Sequence, residues 1–266
     1  MNYASCILTY RESDSPDRRA NLHAMLAWLA RLPQLEVIVV EQDSLPRLGT
    51  ALPHPACRNV FAYNPGPFNK GWGFNIGFRF ARGSVLIFAD ADVVIDEQLP
   101  ISAELCQHGY QVVKPYRTIV DLTPAETAIV RDGNFDYQPD RRDDAATSRE
   151  GIAEFIVLCG GIFCVRREAF FALGGWDERF LGWGGEDDAM TYKLQRLRLS
   201  TIELDEGPAM HLWHPRSPAT TMGQPMYASN CALLADYRQR SDAELQRFAE
   251  VQMQIIGNRE KYRPRP

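Results

Sequence analysis

Val85-Leu86-Ile87-Phe88-Ala89-Asp90-Ala91-Asp92-Val93-Val94-Ile95 decides how the rest of the chain is read. Its first five residues are uninterruptedly apolar, as in a strand buried on both faces of a parallel sheet. The strand runs directly into Asp90 and Asp92. Residues two apart on extended backbone point to the same side, so the two carboxylates converge at the strand's carboxyl end. Paired oxygen donors at that place suit a hard divalent cation bridging diphosphate oxygens. An Asp-x-Asp triplet alone is common; one that ends an apolar strand, after a glycine-rich helix start, carries weight.

That helix start is Phe68-Asn69-Lys70-Gly71-Trp72-Gly73-Phe74-Asn75-Ile76-Gly77, leading into a helix that ends near Arg82. Glycines there would expose backbone amides to phosphate, and Lys70 adds charge, although the spacing is not that of a Walker loop. Further upstream, Ser5–Thr9 and Leu35–Val40 read as two more buried strands. Between them Ser15-Pro16 starts a helix that places Leu22, Met25, Leu26 and Leu29 on one face. Ligands gather at the carboxyl ends of strands in such sheets, which makes Thr9, Tyr10, Arg11, Glu41 and Asp43 candidates. Pro53–Pro67 reads as loop with a short strand at Asn59–Tyr63.

Downstream, the pattern predicts a helix over 99–109, a strand over 110–116, and a polar surface loop or lid between about Asp121 and Glu150. Phe155–Val165 reads as a strand interrupted by Gly160-Gly161, where a ligand can approach closely. A short helix, Arg166–Leu173, then gives way to GGWDERFLGWGGEDD, Gly174 to Asp188. This stretch holds five carboxylates, of which Glu186, Asp187 and Asp188 are consecutive and open a helix facing the core with Met190, Leu194 and Leu197. One acid satisfies a helix dipole; three in a row, after Trp183-Gly184-Gly185, exceed that need. Glycine admits close backbone approach and tryptophan offers a flat face to a sugar ring, so the stretch reads as the acceptor side of a site whose donor side is Asp90-Ala91-Asp92. Beyond a strand over 199–204, His211 and His214 stand three apart and can turn both imidazoles toward one metal. The rest reads as loop over 217–227, helices from about Asn230 and over 241–256, and a frayed basic end, KYRPRP.

A net charge of −5 argues against a nucleic-acid partner. No apolar run reaches the ~18 residues that a transmembrane helix needs. Six cysteines without a CxxC pair read as reduced thiols, and the first residues lack a secretory n-region, so the expected location is the cytoplasm.

Taken together, Thr9-Tyr10-Arg11, FNKGWGFNIGF, FADADVVI, CGGIFCVRREAF, GGWDERFLGWGGEDD and the late histidine pair resemble the GT-A-fold glycosyltransferases. They are similar to the beta-1,4-galactosyltransferases and, less closely, to the polypeptide GalNAc-transferases. The resemblance implies an α/β fold with a Rossmann-like, mostly parallel sheet flanked by helices. It implies one catalytic domain over 1–266: a nucleotide-sugar and metal-binding half (1–116), an acceptor half with a lid loop (117–216), and a C-terminal helical tail (217–266). It places Thr9, Arg11, Phe68 and Lys70 around the donor nucleotide, with Asp90 near the ribose or metal and Gly161 at the donor sugar; Glu41 joins the nucleotide set from its place at a strand end. Trp183, Gly185 and Glu186 would contact sugar or acceptor, Asp187 would be the general base, and Asp188 would be structural. Asp92, His211 and His214 would hold a divalent ion, manganese or magnesium. The family's membrane anchor, stem and disulfides have no counterpart here, which points to a cytoplasmic enzyme acting with a UDP-sugar on a glycan or lipid-linked acceptor, with room for peripheral membrane contact. Transfer of a hexose or N-acetylhexosamine with inversion is the leading expectation. The alternatives are a sugar-phosphate nucleotidyltransferase, against which the lack of a glycine-rich basic loop after the first strand counts, and a non-catalytic carbohydrate-binding protein, against which the joint presence of Asp90, Asp92, Asp187 and both histidines counts.

Overall fold

In the computed structural model the described residues are 3–32, 34–49, 52–95, 97–139, 158, 160–215 and 225–264. The strands are β1 (Ala4–Tyr10), β2 (Leu35–Asp43), β3 (Cys57–Tyr63), β4 (Val85–Ala89), β5 (Val93–Val94), β6 (Val112–Lys114), β7 (Ile119–Asp121), β8 (Ile162–Arg166), β9 (Thr201–Glu203) and β10 (Ala209–His211). The helices are α1 (Asp17–Leu29), α2 (Lys70–Phe80), α3 (Gln98–His108), α4 (Pro124–Arg131), α5 (Arg167–Ala172), α6 (Glu186–Arg196), α7 (Pro225–Gln239) and α8 (Asp242–Ile255).

Seven strands make one sheet in the order β3-β2-β1-β4-β8-β6-β9. β1 pairs in parallel with β2 and β4, and β2 with β3; β8 runs antiparallel between β4 and β6. Side-chain alternation sorts the core onto two faces. In β1, Cys6, Leu8 and Tyr10 join Leu22, Met25, Leu99 and Cys106 of α1 and α3. Ile7 points the other way, to Phe74, Phe170, Met190 and Met253 of α2, α5, α6 and α8. The result is helix, sheet, helix, and the expected mostly parallel α/β sheet is present.

A second sheet, β5-β10-β7, sits just past the end of β4. β10 pairs antiparallel with β5 and parallel with β7, setting His211 opposite both Val93 and Asp121. The β7 and α4 segment corrects the expectation of a polar loop from 121. Thr123 and Glu126 form a reciprocal capping box, with Pro124 at the first helical turn, and that is enough to nucleate a helix in a charged stretch. The lid expected farther on falls on 140–150, outside the described residues, as do 151–157 and 216–224.

Two further expectations change. The glycines of α2 do not line a phosphate: a Cβ on Gly73 would lie 2.1 Å from Thr9 Oγ1, and one on Gly77 2.2 Å from Ile7 Cγ2. They let the helix lie hard against β1. The basic end is anchored, not frayed, through residue 264: Tyr262 meets Trp72 edge-on at 4.8 Å and accepts from Asn69 Nδ2 at 2.9 Å, while Lys261 reaches Glu178 at 3.0 Å.

Candidate active site

Asp90 and Asp92 follow β4 directly, where the sheet ends and the small sheet begins. Asp90 is locked to the Gly160-Gly161 turn: Gly161 N–H donates to Asp90 Oδ2 at 2.7 Å, and Asp90 N–H donates back to the Gly161 carbonyl at 2.9 Å. Gly161 has φ +82°, and a Cβ there would fall 1.8 Å from Tyr116 Oη. Only glycine fits that approach. Tyr116, a residue that sequence reasoning missed, donates to the Gly160 carbonyl at 3.1 Å and accepts from Ile162 N–H at 2.8 Å.

Asp92 faces two histidines. His214 Nε2 lies 3.2 Å from Asp92 Oδ2 and His211 Nε2 lies 3.8 Å from Asp92 Oδ1. One ligand atom from each of the three fits within 4.8 Å of the others. Each histidine turns its Nδ1 outward, His211 to Asp121 Oδ1 at 2.8 Å and His214 to the Pro215 carbonyl at 3.0 Å. Two nitrogen lone pairs and a carboxylate converging this way fit a divalent metal. Burial would raise Asp92, but the His214 hydrogen bond and the charges of His211, His214 and Arg18 hold it below the ordinary carboxylate range. The segment between the histidines is pinned from α1 and α4. Trp213 N–H donates to Thr127 Oγ1 at 2.8 Å, and Asn21 and Arg131 donate to the Trp213 carbonyl at 3.1 and 3.3 Å. Nothing local in the sequence marks these partners, because they come from two segments far from the histidines.

Across the cleft stands the opening of α6. Lys70 Nζ lies 3.0 Å from Asp90 Oδ1, 3.3 Å from Asp187 Oδ2 and 3.9 Å from Glu186 Oε1. Burial alone would lower this lysine, yet Asp187, Asp90 and Glu186 hold it well above its ordinary value. Three carboxylates around one ammonium leave negative charge in excess. Asp187 is accordingly pushed up to about 8, first by burial and then by Glu186 and Asp90, although Lys70 pulls it down. Glu186 is raised as well, chiefly by burial.

The acids of Gly174–Asp188 thus have different jobs. Asp177 accepts from Arg179 and from the Tyr237 hydroxyl at 2.8 Å, and Glu178 binds Asn75, Gly257 N–H and Lys261. Both hold the loop. Trp176 is buried against Phe74, Phe88 and Phe163 and offers no open face. Trp183 remains 39% exposed and stacks on Tyr227 at 5.6 Å, with its carbonyl held by Asn230 of α7. Gly185 has φ +93° and forms the N-cap of α6.

The structure divides the residues expected around a nucleotide. Arg11 and Asp43 line an open depression of about 240 Å³ with Arg47, Asn64 and Pro65. The Arg11 guanidinium also lies over the Phe68 ring at 5.8 Å and donates to the carbonyls of Gln42, Asn64 and Gly66. Thr9 and Glu41 do not reach the cleft. Thr9 accepts from Gln42 Nε2 at 2.7 Å beneath α2, and the fully buried Glu41 accepts from Arg47 and Leu48 N–H. Both stand at strand ends, but side-chain alternation turns these two into the interior.

With the geometry described, comparison with known proteins is decisive. The profile for glycosyl transferase family 2 matches residues 6–173, more than half of the chain. The chain belongs to glycosyl transferase family 2. A second profile, described as the N-terminal domain of galactosyltransferase, matches residues 152–215. Human chondroitin sulfate N-acetylgalactosaminyltransferase 1 is 29% identical over 155 residues, covering 57% of this chain and 28% of that protein. The chain therefore spans little more than a quarter of the curated relative it matches. The catalytic domain of Drosophila beta1,4-galactosyltransferase 7, in complex with xylobiose, aligns with TM-score 0.50 and 17% identity over 86% of this chain and 79% of that one. GalNAc-T7 with UDP, GalNAc and Mn2+ aligns with TM-score 0.54 and 16% identity over 94% of this chain and 54% of that one. These neighbours are GT-A glycosyltransferases, and this family 2 member has their fold.

Proposed function

We propose that this family 2 member is a metal-dependent glycosyltransferase that moves a hexose or N-acetylhexosamine from a UDP-sugar to a glycan or other hydroxyl acceptor with inversion. The observation that carries the reading is the Lys70 bridge, 3.0 Å to Asp90 on the donor side and 3.3 Å to Asp187 on the acceptor side. It joins the carboxyl end of β4 and the start of α6 in one cleft.

Asp92, His211 and His214 would hold the divalent ion, which supplies charge neutralisation for the departing diphosphate. Imidazole donors favour a transition divalent such as Mn2+ over Mg2+, in keeping with the Mn2+ in the GalNAc-T7 structure. Arg11, Phe68 and the depression beside them take the nucleoside, and the Gly160-Gly161 turn admits the donor sugar. Asp187 accepts the proton of the acceptor hydroxyl as that oxygen bonds to the anomeric carbon; the bond from that carbon to the diphosphate oxygen breaks, and its electron pair leaves with UDP. A carboxyl raised toward neutral pH is a stronger base than an ordinary one. Trp183 and Glu186 hold the acceptor. The five described cysteines carry free thiols, which supports a cytoplasmic setting.

A thermal-shift screen of UDP-galactose, UDP-N-acetylgalactosamine, UDP-glucose and UDP-N-acetylglucosamine, with and without Mn2+, tests this. Stabilisation by at least one donor, only with Mn2+, is expected; no shift with any donor would contradict it.

A further inference from the structure

We infer that Asp121 is the positioning residue that fixes His211 in its metal-ligating form and so sets how tightly the protein holds its divalent ion. The inference rests on the metal-dependent reading above and adds to it a residue outside the ligand set.

The contact is built into the backbone. His211 and Asp121 are register partners across the parallel β7 and β10 strands, so the imidazole and the carboxylate meet because of the pairing. Asp121 Oδ1 lies 2.8 Å from His211 Nδ1. An ionised carboxylate only accepts, so Nδ1 carries the proton and Nε2 keeps its lone pair. Nε2 is the ring atom turned to Asp92, 3.8 Å from Oδ1.

His214 has the same arrangement with a weaker backing: its Nδ1 faces the neutral Pro215 carbonyl at 3.0 Å, and its Nε2 faces Asp92 Oδ2 at 3.2 Å. A carboxylate behind a ligating imidazole fixes the ring plane and makes the nitrogen a better donor. Of the two histidines, His211 is thus the one tuned by charge. Stability does not account for the pair. The Asp121 side chain is 59% exposed, and an ion pair so exposed adds little to folding. The same segment also supplies Thr127, whose hydroxyl holds Trp213 N–H at 2.8 Å between the two histidines. The β7 and α4 unit is a scaffold for the metal site.

Titration of the metal-free full chain with Mn2+, read by the electron paramagnetic resonance of the free ion, tests this with wild type, Asp121→Ala, Asp121→Asn and Asp92→Ala. Asp121→Ala is expected to weaken Mn2+ binding by about 10- to 100-fold. Asp121→Asn should lose less, because its amide oxygen still accepts from Nδ1–H. The metal-free melting temperature should stay at the wild-type value, and transfer by Asp121→Ala should recover at saturating Mn2+. Asp121→Ala binding within twofold of wild type, while Asp92→Ala fails to bind, would overturn the role of Asp121 and leave the metal site standing. Wild type that binds no Mn2+ would overturn both.

Discussion

Asp187 sits at the first turn of α6, where burial first, and then the charges of Glu186 and Asp90, push its carboxyl up to about 8. Two results follow at this scale. Below about pH 8 the free enzyme keeps Asp187 largely protonated, so kcat/KM for transfer is expected to rise with pH through a limb near 8. A profile flat from pH 6 to 9 would deny Asp187 the role of base. The second concerns stability. The folded state holds this proton up to about pH 8, whereas an unfolded chain releases it near ~3.9. The folded state therefore binds more protons in that window, and this group's contribution to stability falls as pH rises through it. Asp187→Asn removes the charge. It is expected to cut kcat by about 10²- to 10⁴-fold while the melting temperature at pH 8 stays at or above wild type. Calorimetry beside a UDP-release assay reads both; a lowered melting temperature would make Asp187 a structural acid.

Among the elements, the Gly160-Gly161 turn is tied to Asp90 at the end of β4, and Tyr116 is what holds it. Tyr116→Phe leaves a buried Ile162 N–H and the Gly160 carbonyl without their partner, at a cost of about 1–3 kcal/mol. Because Gly161 N–H orients Asp90, the transfer rate should fall with the stability. Unchanged chemical denaturation would show that the hydroxyl is dispensable.

Legibility differed by element for physical reasons. Val85–Ala89 was plain because a strand buried on both faces needs an uninterrupted apolar run, and the carboxylates that follow it inherit their place. The helix start at Lys70 was plain too, but its glycines serve packing against β1, which no local pattern distinguishes from phosphate binding. α4 went unseen because its face is short and its cap lies in a polar stretch, though Thr123 and Glu126 stood at capping-box spacing. Asp121 could not be singled out at all. Its value comes from pairing with residues ninety positions away, and long-range register leaves no mark in either segment.

At the scale of the whole molecule, the cleft exists because three separate parts of the chain end at the same edge. The parallel half of the large sheet delivers Asp90 and Asp92, the small sheet delivers His211, and α6 delivers Glu186 and Asp187. Neither side is a site alone. The Gly174–Asp188 loop is fixed from below by α8 and the C-terminal segment: Lys193 donates to the Gly175 carbonyl at 2.7 Å and to Gln252 at 2.8 Å, and Glu178 takes Gly257 N–H and Lys261. Placement of Asp187 thus depends on residues far from it in sequence.

The central claim is that a divalent ion at Asp92, His211 and His214 holds the nucleotide diphosphate in this cleft. Calorimetric titration of UDP into the protein, in Mn2+ and then in a chelator, tests it most directly when repeated on Asp92→Ala. Binding in Mn2+ that is lost in the chelator, and absent in Asp92→Ala under both conditions, is the predicted result. Equal UDP affinity with and without the ion would contradict it.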